Sequence, residues 1–282
     1  MTWLYYSLGA SFCYASLSIL SRVVSVDSKN PRALSLAFNL TSILMATILF
    51  LVTGSYHKID FPTVREAWIY LLIAAFFYGM FERLRFFATK LLPVSIYAII
   101  ANVTVVVGFF LSAVLYKEIL TISKTIGFLL IFLSLFLIIE KKKSKVTVKG
   151  VLVGLVTSIF LGVAVALDKK GATYFKPEIY NILGWVAPFI VLYFPGAKFN
   201  DIKLHFRQFS WKIILLSLFN FVGFYLGLKA LVLTDATKVI PITQSSTVIA
   251  VIAGIFLLKE KNNLLKKILA GIIAVIGVFL LK

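Results

Sequence analysis

Leu115-Tyr116-Lys117-Glu118 and Leu257-Leu258-Lys259-Glu260 close two long apolar runs in nearly the same words. Each is followed by a short polar linker and then by another apolar run with an early glycine, Gly127 in one case and Gly271 in the other. The two glutamates stand 142 residues apart in a chain of 282, about half its length. A chain that repeats its pattern at half its own length reads as an internal duplication, the usual ground plan of secondary transporters.

Hydrophobic residues make up 61% of the chain and charged residues 14%, with a mean hydropathy of +1.00. A soluble domain carries about a quarter charged residues, so this chain lacks the polar surface needed to dissolve in water. Apolar segments of about 20 residues, enough to cross a hydrocarbon core of roughly 30 Å, recur from end to end. The first, residues 3–24, lacks the basic leader of a signal peptide and has similar segments after it, so it reads as a membrane span. Ten spans are predicted: 3–24, 33–54, 67–89, 94–116, 121–140, 149–167, 178–195, 211–233, 237–258 and 264–281. All are expected to be helical, because a lipid-exposed backbone must satisfy its hydrogen bonds within its own segment. The fold class is therefore an all-α integral membrane protein. Trp3, Trp68 and Trp211 fall at span starts, where an amphipathic ring suits the interface.

The formal net charge is +18. The lysines lie in short loops between spans rather than on one face, which fits contact with anionic headgroups and argues against nucleic acid. Cys13 is the only cysteine, and His57 and His205 sit in loops far apart in sequence, so neither a disulfide nor a metal site is expected. No cofactor is implied. The partners this leaves are a small-molecule substrate and the lipid bilayer, with a coupling proton as a third, for a monomer or homodimer.

The lysine run Lys141-Lys142-Lys143, with Lys145 and Lys149, divides the chain into a repeat at 1–140, a basic linker at 141–148 and a repeat at 149–282. Five spans lie on each side. An odd number forces the second copy to insert upside down, so two inverted five-helix repeats would meet around a central cavity. At the 142-residue offset Asn102 falls opposite Gln244, each an amide inside an otherwise apolar span. Two roles fit such a pair, lining the cavity or hydrogen-bonding neighbouring helices.

Ala88-Thr89-Lys90-Leu91-Leu92-Pro93-Val94, then Lys117-Glu118 and Ile126-Gly127, resembles the EamA-type repeat of the drug/metabolite transporter superfamily. A second copy reads Ala230, Ala236, Ile240-Pro241-Ile242, Lys259-Glu260 and Ala270-Gly271. The resemblance covers essentially the whole chain. It implies that spans five and ten stand at the periphery while the other eight surround a substrate cavity. It also implies a multi-pass protein of a prokaryotic inner (plasma) membrane with both ends in the cytoplasm. Two features depart from the pattern: Pro93 stands at a helix start where Pro241 lies inside its span, and the third span carries extra charge. The loops placed outside by this orientation, 141–149, 196–212 and 259–267, hold roughly twice the basic residues of the others, against the usual charge bias.

That charge is the strongest candidate for chemistry. Tyr78, Glu82, Arg85 and Thr89 fall at i, i+4, i+7 and i+11, a single helical stripe. Ionised groups inside a membrane cost on the order of 3 kcal/mol each unless paired or facing a wet cavity. In one reading Arg85 holds an anionic substrate group and Glu82 exchanges a proton; in the other the two neutralise each other near the interface. Lys229, with Tyr225 one turn before it, and Tyr14, sharing a face with Ser11 and Ser18, are further cavity candidates, as is Trp185 in span seven. Pro188 inside span seven and Pro241 inside span nine are candidate hinges. Glu118 and Glu260 read as helix-end and turn residues.

The expected function is a secondary active transporter, a permease or exporter that moves a small polar metabolite such as an amino acid by alternating access. Efflux of drugs or flipping of a lipid-linked sugar is the alternative. No catalytic residues are assigned: the chain has no paired acids near a histidine, no H-E-x-x-H and no nucleotide loop, so a membrane-embedded enzyme is disfavoured.

Overall fold

The computed structural model describes residues 2–28, 30–91, 100–137, 148–194, 196, 199–246, 248–249 and 264–281. The lysine run 141–145, Pro93-Val94, Pro195 and Lys259-Glu260 lie outside the described residues, as do the start of the fourth expected span and the end of the ninth.

The described residues include ten α-helices: α1 (Thr2–Asp27), α2 (Pro31–Val52), α3 (Arg65–Leu91), α4 (Val103–Tyr116), α5 (Ile122–Leu137), α6 (Val148–Tyr174), α7 (Pro177–Tyr193), α8 (Phe199–Leu233), α9 (Ala236–Gln244) and α10 (Leu264–Leu281). No strand is found among them. The apolar runs become helices, and their ends carry recognisable signals. Asn30 is extended and its side chain accepts from the Ala33 N–H at 3.3 Å, ahead of Pro31 in the first turn of α2. Pro177 starts α7 in the same way. Segments Arg32–Val52, Arg65–Arg85, Val148–Tyr174 and Ser210–Leu233 are each long and apolar enough to cross a membrane; α4, Ile122–Ser134 and Ile268–Leu281 are shorter apolar helices.

Two pairs of equivalent helices, α2–α7 and α5–α10, meet antiparallel. Arg32, at the start of α2, donates to the carbonyls of Leu192, Tyr193 and Phe194 at the end of α7 (3.2, 3.0 and 3.2 Å). One and a half turns on, Phe38 packs edge-on against Trp185, further back along α7. In the α5–α10 pair Ser123 Oγ, at the start of one helix, donates to the Leu280 carbonyl at the end of the other (2.6 Å). A Cβ on Gly127 would stand 2.9 Å from the Gly277 carbonyl oxygen, and one on Gly277 would stand 2.8 Å from that of Gly127, so only glycine permits this approach. The remaining packing is also exchanged when the halves are swapped: α1 packs on α8 as α6 packs on α3, and α2 on α8 as α7 on α3. The second copy is therefore inverted, as five spans per copy require.

α6 and α8 differ in extent from the sequence reading. α6 runs on to Tyr174, past the expected end at residue 167. α8 begins at Phe199 and leaves helical geometry at Ser210, so the span is preceded by an amphipathic lead. That lead buries Ile202 and His205 against the α1–α2 connection. His205 is hydrogen-bonded to Ser28 Oγ (3.0 Å) and to the Asp201 carbonyl (2.8 Å), and Asn30 donates to Asp201 (3.1 Å). His205 is a buried helical residue, not a loop residue, because docking this lead covers it.

Candidate functional site

Eight helices, α1 to α4 and α6 to α9, enclose a cavity of about 290 Å³ between the two halves; α5 and α10 contribute no lining residue among those described. Its walls are aromatic and aliphatic, with Phe81, Trp185 and Phe224 among them, and its polar groups include Tyr14, Asn39, Tyr78, Glu82, Arg85, Asp168, Asn220 and Gln244. An apolar recess with a few converging polar groups is the ordinary form of a small-molecule site.

Tyr78, Glu82 and Arg85 of the α3 stripe line this cavity. Glu82 and Arg85 form an ion pair (3.2 Å) one turn apart, and Glu82 also accepts from Ser35 Oγ at 3.0 Å. The Arg85 guanidinium lies over the rings of Phe38 and Phe81, 5.7 and 5.4 Å from their centroids. The charges neutralise each other, and they do so on the cavity wall. Both charges are held where a polar ligand could compete for them, and the aromatic faces fix the arginine.

Further toward the start of α3, Tyr78 donates to Asp168 Oδ2 at 2.5 Å, and Tyr180 from α7 donates to Oδ1 at 3.1 Å. Asp168 is 3% exposed. It reaches the cavity only because α6 extends beyond residue 167. A Cβ on Gly171 would lie 2.1 Å from the Tyr180 ring, so the bare backbone of that turn is what lets the ring lie across α6 and its hydroxyl reach the carboxylate. The signal for Asp168 is present in the sequence: Ser158, Leu161, Val165 and Asp168 form a stripe at i, i+3, i+7 and i+10, and all four line the cavity.

Of the residues singled out from sequence, Tyr14, Tyr78, Glu82, Arg85, Trp185, Pro188 and Gln244 come together around this cavity. Trp185 donates to Asn181 Oδ1 (2.9 Å), and Pro188 lies inside α7. Others stand elsewhere. Tyr225 donates to Glu178, whose carboxylate is 3.9 Å from Lys229, and the ammonium of Lys229 lies 4.7 Å from the Tyr225 ring; this cluster sits at the start of α7, away from the cavity lining. Asn102 is not in mid-helix: it occupies the turn just before α4, buried but off the lining, with Ala101 and Thr104 at the wall instead. Gln244 is the last residue of α9, followed by a turn at Ser245, so the two amides mark matching breaks in equivalent spans. Pro241 is buried inside α9, one residue from the wall position Ile240. Ser11 is bonded to Ser245 (3.2 Å), joining α1 to that break.

Glu118 serves as a cross-repeat anchor. Its carboxylate accepts from the N–H groups of Ala236 and Thr237 (2.9 and 3.0 Å), from Thr237 Oγ1 (2.6 Å) and from Lys169 (3.0 Å). A residue ending α4 thus caps the start of α9 in the other half, where the unpaired N–H groups favour a negative charge.

A model of the EamA-like transporter family matches residues 1–140 and again residues 148–282. One solved structure, described as "Crystal structure of protein", superposes with a TM-score of 0.75 over 99% of this chain and 95% of that one, at 13% sequence identity. At that identity the likeness is one of fold alone. No curated protein matches.

Proposed function

We propose that this chain, which belongs to the EamA-like transporter family, carries a small polar metabolite such as an amino acid across the membrane by alternating access. The observation that supports this most is the cavity itself. It lies between two inverted halves, and rocking of one half against the other opens such a site to each side in turn. Its volume of about 290 Å³ is at the low end of small-molecule pockets, which favours a metabolite over a drug or a lipid-linked sugar. Arg85 is the group we assign to an anionic part of the substrate, displacing part of its contact with Glu82. Trp185 and Phe224 supply apolar walls, and Pro188 and Pro241 are the proposed hinges. Pro188 leaves the carbonyl one turn before it without its helical N–H partner and so permits bending at the wall. The proposed setting is a prokaryotic plasma membrane with both ends cytoplasmic.

The test is uptake of a mixture of the common amino acids by proteoliposomes holding the purified full chain. Wild-type protein is expected to equilibrate at least one of them, Arg85→Ala to lose most of that flux, and Glu82→Gln to weaken it. Undiminished flux in both variants contradicts the assignment.

A further inference from the structure

Among the described residues two acids, Glu82 and Asp168, line the cavity, and their partners differ in kind. Glu82 faces the Arg85 guanidinium, a fixed cation that favours the ionised carboxylate, with Ser35 Oγ as its second donor. Asp168 is met by two phenol hydroxyls. A phenol hydroxyl both donates and accepts, so turning a hydroxyl hydrogen suits either state of the acid with the heavy atoms at rest.

Tyr78 from α3 and Tyr180 from α7 touch Asp168, while Tyr14 from α1 and Tyr116 from α4 lie within range of its charge. The lining residues of α8 and α9, such as Asn220 and Thr243, carry no ionisable group. On α6 itself the neighbouring lysines are engaged elsewhere: Lys169 with Glu118, and Lys170 over the rings of Tyr70 and Tyr174. Among the described residues no cation pairs with this buried carboxylate. Glu82 and Arg85 stand four and seven residues beyond Tyr78 on α3, about 6 and 10 Å along the helix axis.

We propose that Asp168 is a reversible proton site on the cavity wall, and that its loading and unloading couple the transport proposed above to a proton gradient. The coupling part rests on that reading; the site itself does not. A hydronium ion in the cavity gives its proton to one Asp168 oxygen, forming a carboxylic acid and leaving water. On exposure to the other side the proton returns to water as hydronium, and no electrons are exchanged. The neutral acid relieves the cost of an ion held out of water without a counter-charge, so proton occupancy changes the relative stability of the closed and water-open arrangements of the two halves.

Infrared spectra of the full chain in liposomes, recorded as the buffer pH is stepped, test the site with the proton as the probe. Acidification of the wild type should produce a buried carboxylic-acid C=O band. That band should be lost in Asp168→Asn, kept in Glu82→Gln and shifted in Tyr180→Phe, which removes one hydroxyl while retaining the acid. Persistence of the band in Asp168→Asn, or its loss in Glu82→Gln, overturns the proposal. Should Asp168→Asn fail to fold, an unshifted band in Tyr180→Phe overturns it as well. For the coupling, an imposed pH gradient should concentrate any amino acid that the wild type moves, and Asp168→Asn should lose that accumulation. Accumulation equal to wild type refutes the coupling. If the wild type shows the band yet moves no amino acid, the substrate reading fails and the proton site stands.

Discussion

Glu118→Ala removes the carboxylate that joins the end of α4 to the start of α9. Its side chain is 4% exposed and receives four donors: two backbone N–H groups, one hydroxyl and one ammonium. Deleting one partner of a buried ion pair costs about 3–5 kcal/mol, because the other charge stays buried. Here Lys169 retains the Thr234 carbonyl at 3.1 Å and Asp235 at 3.8 Å, which places the expected loss at the lower end, about 3 kcal/mol. Glu118→Gln keeps an acceptor for one N–H and should cost about half as much. Asp235→Asn is the control. Its side chain is 41% exposed, and Lys124, 9% exposed, keeps the Ile119 carbonyl at 3.0 Å, so the expected loss is about 1 kcal/mol. Thermal unfolding of the three variants in detergent, followed by tryptophan fluorescence, should rank them Glu118→Ala, Glu118→Gln, Asp235→Asn in descending damage. Equal shifts for Glu118→Ala and Asp235→Asn would refute the cross-repeat anchor.

Gly171→Ala should displace the Tyr180 ring and shift the Asp168 acid band as Tyr180→Phe does, without changing the side chains at the acid; an unshifted band removes Gly171 from the site. At Asp235 burial pushes the carboxyl up, but the Lys124 hydrogen bond and the charges of Lys124, Lys169 and Lys238 outweigh it and hold the group below its ordinary value. Its stabilising contribution is therefore full above the ordinary carboxylate range and is lost as pH falls through the lowered value. Melting curves of wild type and Asp235→Asn should converge on acidification, and a gap that widens instead contradicts this sign. With both ends cytoplasmic, a cysteine at Lys143 in a Cys13→Ser background should react with an impermeant reagent applied to intact cells. Reaction only after permeabilisation would favour the orientation set by the basic loops.

The duplication is legible in the sequence because helix ends carry polar words that apolar interiors cannot hide: Lys117-Glu118 returns as Lys259-Glu260 at the half-length offset. The stripe through Tyr78, Glu82 and Arg85 is legible for the same reason, since charge inside an apolar run must have a destination. Asp168 is harder to read. It stands beside Lys169 and Lys170, and three charges in a row look like the end of a span. Only the tertiary structure shows that the lysines reach Glu118 and Tyr70 while the aspartate turns inward. Lys229 shows the converse. Its helical partner Tyr225 is visible in the sequence, but Glu178, which draws both residues away from the cavity, lies on another helix. Asn102 is a question of local backbone: periodicity places it in a span, and it does not reveal that the helix turns there.

The inverted duplication is tested most directly by cross-linking α5 to α10. Position 123 is equivalent by repeat to position 265, yet its carbonyl partner is Leu280, at the opposite end of α10. In a Cys13→Ser background, Ser123→Cys combined with Leu280→Cys should form a disulfide readily in native membranes, and Ser123→Cys with Leu265→Cys should not. Efficient cross-linking of 123 to 265 with none to 280 would mean that the two copies run the same way, which contradicts the architecture and the cavity built on it.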